Sequence, residues 1–593
     1  MCGIMGYNGK NSAIPIVING LKSLEYRGYD SAGIAYIKNN QVKVLKEKGR
    51  ISELEKLLDN SITNTCIGHT RWATHGKPSR ENAHPHQVGN VTLVHNGIIE
   101  NYSELKDELI KKGYTFKSET DTEVACCLID YVYKECDDKI KTIEKVQKLL
   151  KGSYAFLILF QDDNTIYATR HGSPLIVAND ETGNYIASDI PAILPFTKEY
   201  YLLDEMEIAI VSQDNLKFIK DDKVITKEKL LFNFDVKQAE KDGYEHFMLK
   251  EIHEQPKIIK NNLEYYFENF SLIPDISSYK KIHIVACGSA YHAGLIGKYF
   301  IEHYGDIEVN CYIASEYRYE KNFIDDNTLV ILVSQSGETA DTIACLRLAK
   351  EKNAKTLGIV NVVGSTIARE SDLVIYINAG CEIAVATTKA YTNQVLTFSL
   401  IAYKLGITKG IIDESSKEKI KKDYFRLSDE IEKILKLDYT HIVEKIYERN
   451  DIFFIGRLID YYLCLEGSLK LKEISYIHSE TYPAGELKHG TISLIEENTP
   501  VISIVTDKNI YEKTISNIKE TKARGSYVIL VKRKSIDVDK SCYDMLIEIE
   551  DMNELVISIL AIVPLQLLAY YVSYKKGLDI DKPRNLAKSV TVE

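Results

Sequence analysis

The chain has 593 residues, 45% of them apolar and 27% charged, and its 74 basic and 85 acidic side chains leave a formal charge of −11. That length exceeds what a single hydrophobic core supports, so several domains are expected. The acidic balance, with no concentrated basic stripe, argues against a nucleic-acid binder, and 11 scattered cysteines without a C-x-x-C pair argue for a reducing cytosol over a disulfide framework or structural zinc.

Residues 2–235 read as a first block. Short alternating strands, such as residues 153–160 and 207–211, mix with helices, including one near residues 103–112, and predict stacked antiparallel sheets. No basic region followed by an apolar run precedes them, so no signal peptide is expected. Residues 236–280 are charged and aromatic and read as a helical connector. From 281 the texture changes to buried strands running into small polar turns, at 282–286 before Cys287-Gly288-Ser289 and at 329–333 before Ser334-Gln335-Ser336-Gly337. This βαβ rhythm predicts a parallel sheet with helices on both faces. The scheme recurs at 451–457, 499–506 and 526–531, so two like domains, 281–425 and 440–575, are expected, followed by a tail at 576–593. The second copy has Thr506-Asp507-Lys508 where the first has its serine-rich turn, which predicts one phosphate pocket, not two. The most apolar stretch, residues 555–574, carries Pro564 and Gln566 and reads as a buried helix, not a membrane span.

Cys2 has only the initiator methionine before it. Removal of that methionine would leave a free α-amine on the residue that carries the thiol. An unperturbed α-amine, with a pKa of about 7.7–8.0, is a competent general base, and the thiol is a strong nucleophile once deprotonated. Taken alone, an ordinary terminal cysteine is the simpler reading. Arg71, within Gly68-His69-Thr70-Arg71-Trp72-Ala73-Thr74-His75-Gly76, suits bidentate carboxylate binding. The Asn96 amide and Gly97 N–H follow a strand and could face one oxyanion. Asp121, just ahead of a helix, could receive an ammonium group. His75, His84 and His86 could be read as metal ligands by composition. No closed four-ligand set is evident, and a role in shaping their loop is the expected one.

In the second region, Ser334, Gln335, Ser336 and Thr339 join a buried strand to a helix, where hydroxyls, an amide and free helix N–H groups suit a phosphate dianion. A serine-rich helix cap explains the same residues equally well. The loop is not the G-x-x-x-x-G-K-[ST] type, so nucleoside triphosphate hydrolysis is not indicated. Ser289 and Thr387 lie at neighbouring strand ends, where open α/β sheets bind ligands. Glu466, Lys470 and Glu473 recur at i, i+4 and i+7 on one helical face, which in isolation reads as a surface salt-bridge ladder. His489 occupies a glycine-flanked loop, and the tail with Ala587 and Lys588 reads in isolation as a frayed terminus.

Together these motifs carry a resemblance. Cys2-Gly3-Ile4, His69 to Gly76, His95-Asn96-Gly97 and Thr120-Asp121-Thr122-Glu123 resemble the glutaminase domain of the N-terminal-nucleophile amidotransferases. Residues 281–593 resemble paired sugar isomerase (SIS) domains. Over its whole length the chain is similar to the glutamine–fructose-6-phosphate aminotransferase (isomerizing) family. The resemblance implies an α+β αββα glutaminase domain followed by two α/β SIS domains with parallel sheets. It implies conversion of L-glutamine and D-fructose 6-phosphate to L-glutamate and D-glucosamine 6-phosphate by a cytoplasmic homodimer joined through its SIS domains, with no cofactor, metal, nucleic acid or membrane.

Carried over residue by residue, the resemblance makes Cys2 the nucleophile and Asn96 with Gly97 the oxyanion hole. Arg71, Trp72, Thr74, His75, His84 and Asp121 fall to glutamine. Ser289, Ser334, Gln335, Ser336, Thr339, Thr387, Glu466 and Ala587 fall to the sugar phosphate. His489 would open the sugar ring, Lys588 would form a Schiff base at C2, and Glu473, supported by Lys470 and Glu466, would move the proton between C1 and C2. Trp72 would gate the route from Cys2. The chain departs from the family's Cys-Gly-Thr-Ser and Val-Ala-Ser-Thr-Lys at Ser289-Ala290 and Thr387, which bears on sugar affinity more than on reaction type. Two rival readings remain at this stage, a regulatory sugar-phosphate binder with a vestigial amidase and an enzyme acting on another amino-sugar phosphate.

Overall fold

The computed structural model describes residues 2–161, 163–232 and 241–590. The chain divides into two compact units, Met1–Ala239 with Ala587–Glu593, and Glu240–Leu586.

In the first unit two antiparallel sheets lie face to face. One has eight strands, with Gly3–Gly9 central between Gly183–Ala187 and Thr65–Arg71. The other has seven, with Val91–Ile99 and Gly152–Phe160 paired along their length. Gly152–Phe160 shows why a near-continuous apolar run makes a strand here. Ala155, Leu157 and Leu159 point into the core between the sheets, with Ile4, Ile67 and Ile186 from the other sheet. Tyr154, Phe156, Ile158 and Phe160 point the other way, into a core closed by the helices Tyr102–Lys111, Asp121–Cys136 and Lys139–Leu149. A strand buried on both faces needs apolar residues at every position. The helix Ala13–Ser23 packs on the outside of the first sheet through Val17 and Leu21, against Gly68. The layering is therefore helix, sheet, sheet, helix, the αββα arrangement that the resemblance implied.

The second unit holds two five-stranded parallel sheets of identical order. In chain order within each sheet, the second strand lies outside the first, and the third, fourth and fifth follow on its other side. The first sheet centres on Lys281–Ala286 and Thr328–Ser334, and the second on Asp451–Gly456 and Pro500–Val505. Strand order reverses between these central pairs, so a crevice opens at their C-terminal ends, the switch point where such sheets bind ligands. The expected connector enters this unit as the helix Phe247–Glu268, while its residues 236–240 lie outside the described residues. Met248, Ile252, Ile259 and Leu263 of that helix join one apolar core that runs through both sheets' helices.

The helix Glu554–Lys575 is long and apolar enough to span a membrane, but 94% of its apolar window is buried inside this core. Ser399 Oγ donates to the Leu555 carbonyl at its start (2.6 Å), and Gln255 bonds Gln566 in its middle (2.9 Å). It is a core helix, as its polar interruptions predicted.

Candidate functional site

Cys2 directly precedes the strand Gly3–Gly9, whose register sets Gly3 opposite Thr70. That register brings the thiol to the end of the neighbouring strand, where Cys2 Sγ accepts the Trp72 N–H at 3.2 Å. Asn96 reaches Cys2 from the second sheet, its Nδ2 donating to the Cys2 carbonyl oxygen at 2.9 Å while its Oδ1 is buried without a partner. Gly97 has φ +130°, and a Cβ there would sit 2.0 Å from the Ser153 carbonyl oxygen, so only glycine fits.

Arg71 is buried at the end of its strand. One terminal nitrogen donates to the carbonyls of His75 and Gly76, which folds the following loop back over it, and the other, Nη1, is buried with no partner. Asp121 opens the helix Asp121–Cys136 and accepts the Ile99 N–H at 2.9 Å, with Thr120 capping the helix by accepting the Glu123 N–H. Burial raises the Cys2 thiol pKa, against the pull of the Trp72 N–H and the Arg71 charge, while nearby Asp121 adds to the rise. Burial lowers Arg71, against the pull of Cys2, Asp30 and Asp121. The thiol, the guanidinium and the carboxylate therefore share one electrostatic neighbourhood. It offers an unpaired cation for a carboxylate, an anion for an ammonium, and a nucleophile that needs a base to ionise it.

Trp72 packs edge-on against Tyr29, with ring centroids 5.9 Å apart, and Thr74 is exposed. His75 is half-buried against Tyr102, its Nδ1 without a partner. His84 lies in a buried imidazole group, stacked on His69 at 4.1 Å and edge-on to His86. Burial drives His84 and His86 well below the usual histidine range and takes His69 down to about 3, so these rings are neutral. Their hydrogen bonds are structural. His69 Nε2 donates to the His95 carbonyl, His95 Nδ1 meets Thr122 Oγ1 at 2.9 Å, and His86 Nε2 meets Thr120 Oγ1 at 3.1 Å. The imidazoles thus hold the helix start that presents Asp121. Among the described residues no group of three or more His, Cys, Asp and Glu side chains forms a metal site.

In the second unit the loop from Ser334 to Thr339 closes on itself. Ser334 Oγ accepts the Gly337 N–H (3.0 Å) and lies 2.9 Å from Thr339 Oγ1, and Ser336 Oγ accepts the Glu338 N–H. Gly337 has φ +65°, and a Cβ there would strike Ser365 Oγ. The helix Ala340–Glu351 follows, and its N-cap Thr339 makes no side-chain cap hydrogen bond to the first turn's N–H groups. Ser289 is buried in the first turn of the helix Gly288–Gly305. Thr387 Oγ1 donates to Glu382, whose other carboxylate oxygen accepts the Thr388 and Ala390 N–H groups at 3.0 Å.

The acid–base–acid face belongs to the helix Ile459–Ser475 and is not a surface ladder. The Glu466 and Lys470 side chains are 0% and 1% exposed, and that of Glu473 is 19% exposed. Lys470 Nζ lies 2.6 Å from Glu473 Oε2 and 3.5 Å from Glu466 Oε1. Burial alone would lower the ammonium's pKa, but Glu473, Glu466 and Glu382 together raise it, so Lys470 stays charged. Glu382, the residue that holds Thr387, therefore lies within electrostatic reach of this helix. His489 stands exposed on the short turn Leu487–His489, with no side-chain hydrogen bond to the set. Lys588 and Ala587 fall in the tail segment that groups with the first unit.

Comparison with known proteins assigns domain families to both parts of the chain. The glutamine amidotransferase domain family matches residues 69–195, and the SIS domain family matches residues 275–404 and 445–576. Across 100% of both chains, the sequence is 48% identical to glutamine–fructose-6-phosphate aminotransferase (isomerizing) from Caldanaerobacter subterraneus subsp. tengcongensis, and 46% identical to that from Aquifex aeolicus. The chain belongs to the glutamine–fructose-6-phosphate aminotransferase (isomerizing) family. Among solved structures, the C-terminal domain of glucosamine-fructose-6-phosphate aminotransferase from Francisella tularensis is 37% identical, with a TM-score of 0.54, over 58% of this chain and 99% of that one.

In this member of the aminotransferase family the second SIS copy has a turn of its own. Leu458, at φ +49°, takes the place that Gly288, at φ +55°, holds in the first copy. Two residues on, the buried Asp460 fills the turn after the neighbouring strand, accepting the Thr506 N–H (2.8 Å), the Asp507 N–H (3.3 Å) and the Thr506 hydroxyl. An internal carboxylate therefore already engages these N–H groups. Burial, with a further push from Asp507, raises Asp460 from the ordinary 3.8 up to about 6 despite those hydrogen bonds.

A raised carboxyl pKa favours folding below the unfolded value, and that advantage is lost as pH rises through the folded one. Asp460→Asn keeps an oxygen for both N–H groups and gives the hydroxyl a donor. We therefore predict that the variant matches the wild type near pH 4 and gains about 2–3 kcal/mol on it by pH 7.5. Denaturation midpoints measured at both values check this, and an equal offset at the two would contradict it.

His69, His95 and Asp460 meet their partners only through packing, so no local signal in the sequence marks them, whereas Glu382 lies five residues before the Thr387 it holds.

Proposed function

We infer that this chain converts D-fructose 6-phosphate and L-glutamine to D-glucosamine 6-phosphate and L-glutamate. One observation carries the reading. A half-buried thiol beside an arginine with one unpartnered nitrogen and an acidic helix start occurs in the same chain as a phosphate-suited loop and a Glu–Lys–Glu set on a buried helix face, and relatives of this activity match that chain end to end.

In our reading Met1 is removed and the Cys2 α-amine takes the thiol proton, a base the raised thiol pKa calls for. The thiolate attacks the glutamine carboxamide, Asn96 and Gly97 take the oxyanion, ammonia leaves, and water releases glutamate from the thioester. Arg71 takes the α-carboxylate of glutamine through its free nitrogen and Asp121 its α-ammonium, with Trp72, Thr74, His75 and His84 shaping the pocket.

For the sugar, Ser334, Gln335, Ser336 and Thr339 take the phosphate, and Ser289, Thr387 and Ala587 the sugar chain. His489 assists ring opening. The Lys588 amine condenses with the C2 carbonyl and expels water, and ammonia then displaces the lysine. Glu473 carries a proton from C1 to C2 while the O1 proton passes to the imine nitrogen, which turns the ketose imine into the aldose amine, and the Lys470 ammonium, set between Glu466 and Glu473, balances the Glu473 charge. A homodimer joined through the SIS domains and a cytoplasmic location complete the proposal.

The test follows amide-¹⁵N glutamine with fructose 6-phosphate. The label is expected in an amino-sugar phosphate identified by mass, with one glutamate released per product. Glutamate without labelled amino sugar would sink the reading.

A further inference from the structure

Glu466 is fully buried, yet its closest partner belongs to the other SIS half. His292 lies on the helix Gly288–Gly305, one turn beyond Ser289, and its Nδ1 is 2.8 Å from Glu466 Oε2. Its side chain is 13% exposed. Facing a carboxylate, that nitrogen must be the donor, so Nδ1 carries the proton. Glu466 Oε1 makes no hydrogen bond at all and meets Lys470 only at 3.5 Å, whereas Glu473 holds the same ammonium at 2.6 Å. Two carboxylates therefore compete for one cation, and the one restrained by the imidazole loses. Without that donor, a buried Glu466 would have no hydrogen bond to its carboxylate and would draw the ammonium off Glu473, since an unpaired buried charge is unfavourable.

We propose that His292 is a positioning residue for the isomerisation: by holding Glu466 back, it leaves the Lys470 ammonium on Glu473 and so sets the aim and basicity of that carboxylate. The imidazole also ties the helix of Ser289, in the first half, to the acid–base helix of the second. A sugar seated against the first helix thus meets a Glu473 whose charge partner is already fixed. The inference rests on Glu473 as the proton-transferring group of the proposed function.

The test uses the full chain and three single variants, with kcat and KM for fructose 6-phosphate and the rate of glutamine hydrolysis measured separately. His292→Leu is expected to lower kcat for synthesis roughly 10- to 100-fold, the size of a lost charge-assisted hydrogen bond. KM for fructose 6-phosphate and glutamine hydrolysis should stay within about threefold. His292→Asn, whose side-chain amide can donate from nearly the same place, should retain kcat within about threefold. His292→Ala replaces the leucine variant if that one folds poorly. Wild-type kcat in the apolar variant, or equal losses in the apolar and asparagine variants, would overturn the proposal. Glu473→Gln separates the two levels. If it still makes product at the wild-type rate, the underlying reading fails, whereas if it is inactive and His292→Leu is not, only the present inference does.

Discussion

Replacing Cys2 by alanine is expected to lower glutamine hydrolysis by roughly four to six orders of magnitude, as removal of a covalent nucleophile does elsewhere. No other thiol can substitute. Of the remaining cysteines in the first unit, Cys66, Cys126 and Cys127 are buried in strand or helix cores, and Cys136 lies at the far end of the helix that Asp121 opens. The replacement removes one sulfur at a strand start that is fixed independently by the Gly3–Thr70 and Ile4–Ser188 hydrogen bonds, at 3.2 and 2.9 Å. The fold should therefore survive, and fructose 6-phosphate should bind with unchanged affinity. Glutamate release, with calorimetry for the sugar, checks both halves of the statement. Sustained hydrolysis by the alanine variant would remove Cys2 from the mechanism.

The second large effect is expected at Lys470. Substitution by methionine keeps most of the side-chain volume but strips the cation that pairs with both Glu466 and Glu473. Breaking a buried pair from one side costs about 3–5 kcal/mol, because the partner charge stays buried without compensation. Here one carboxylate is wholly buried and the other is 19% exposed, and a cost within that range is expected for the second unit. Synthesis should fall by about 10²–10⁴, since Glu473 loses the charge that sets it as a base. A double variant, Lys470→Met with Glu466→Gln, should recover much of the stability and little of the rate. Unfolding midpoints read the first quantity and product formation the second. Parallel recovery of both would mean that the lysine acts on folding alone.

Much of this was legible before any coordinates. Residues 153–160 read as one of the short strands from their apolar and aromatic run, and the strand runs over Gly152–Phe160. The small polar residues after 329–333 marked a turn between a buried strand and a helix, and the strand Thr328–Ser334 and helix Ala340–Glu351 flank it. The spacing of Glu466, Lys470 and Glu473 put them on one face. Whether that face met water was not legible, because the helix also carries Leu463, Cys464 and Leu471 in its core, and the salt-bridge ladder was the ordinary reading. Burial overturned it. His84, assigned to glutamine by resemblance, lies in a buried imidazole stack whose other members reach it from separate strands and loops.

By itself, the order of residues along the chain determined the elements and the local chemistry: two unlike blocks, a repeated βαβ scheme, a thiol next to the start, and a loop that suits an anion. These follow from side-chain period and backbone preference, which act over a few residues. Tertiary structure alone decided which charges are buried and which groups they meet. Glu466 finds His292 across 174 positions, Asn96 finds Cys2 across 94, and Asp460 closes a turn 46 residues on. Burial strengthens an electrostatic contact and makes an unpaired group costly, so the same carboxylate is a surface ornament on an isolated helix and a controlling charge inside the fold.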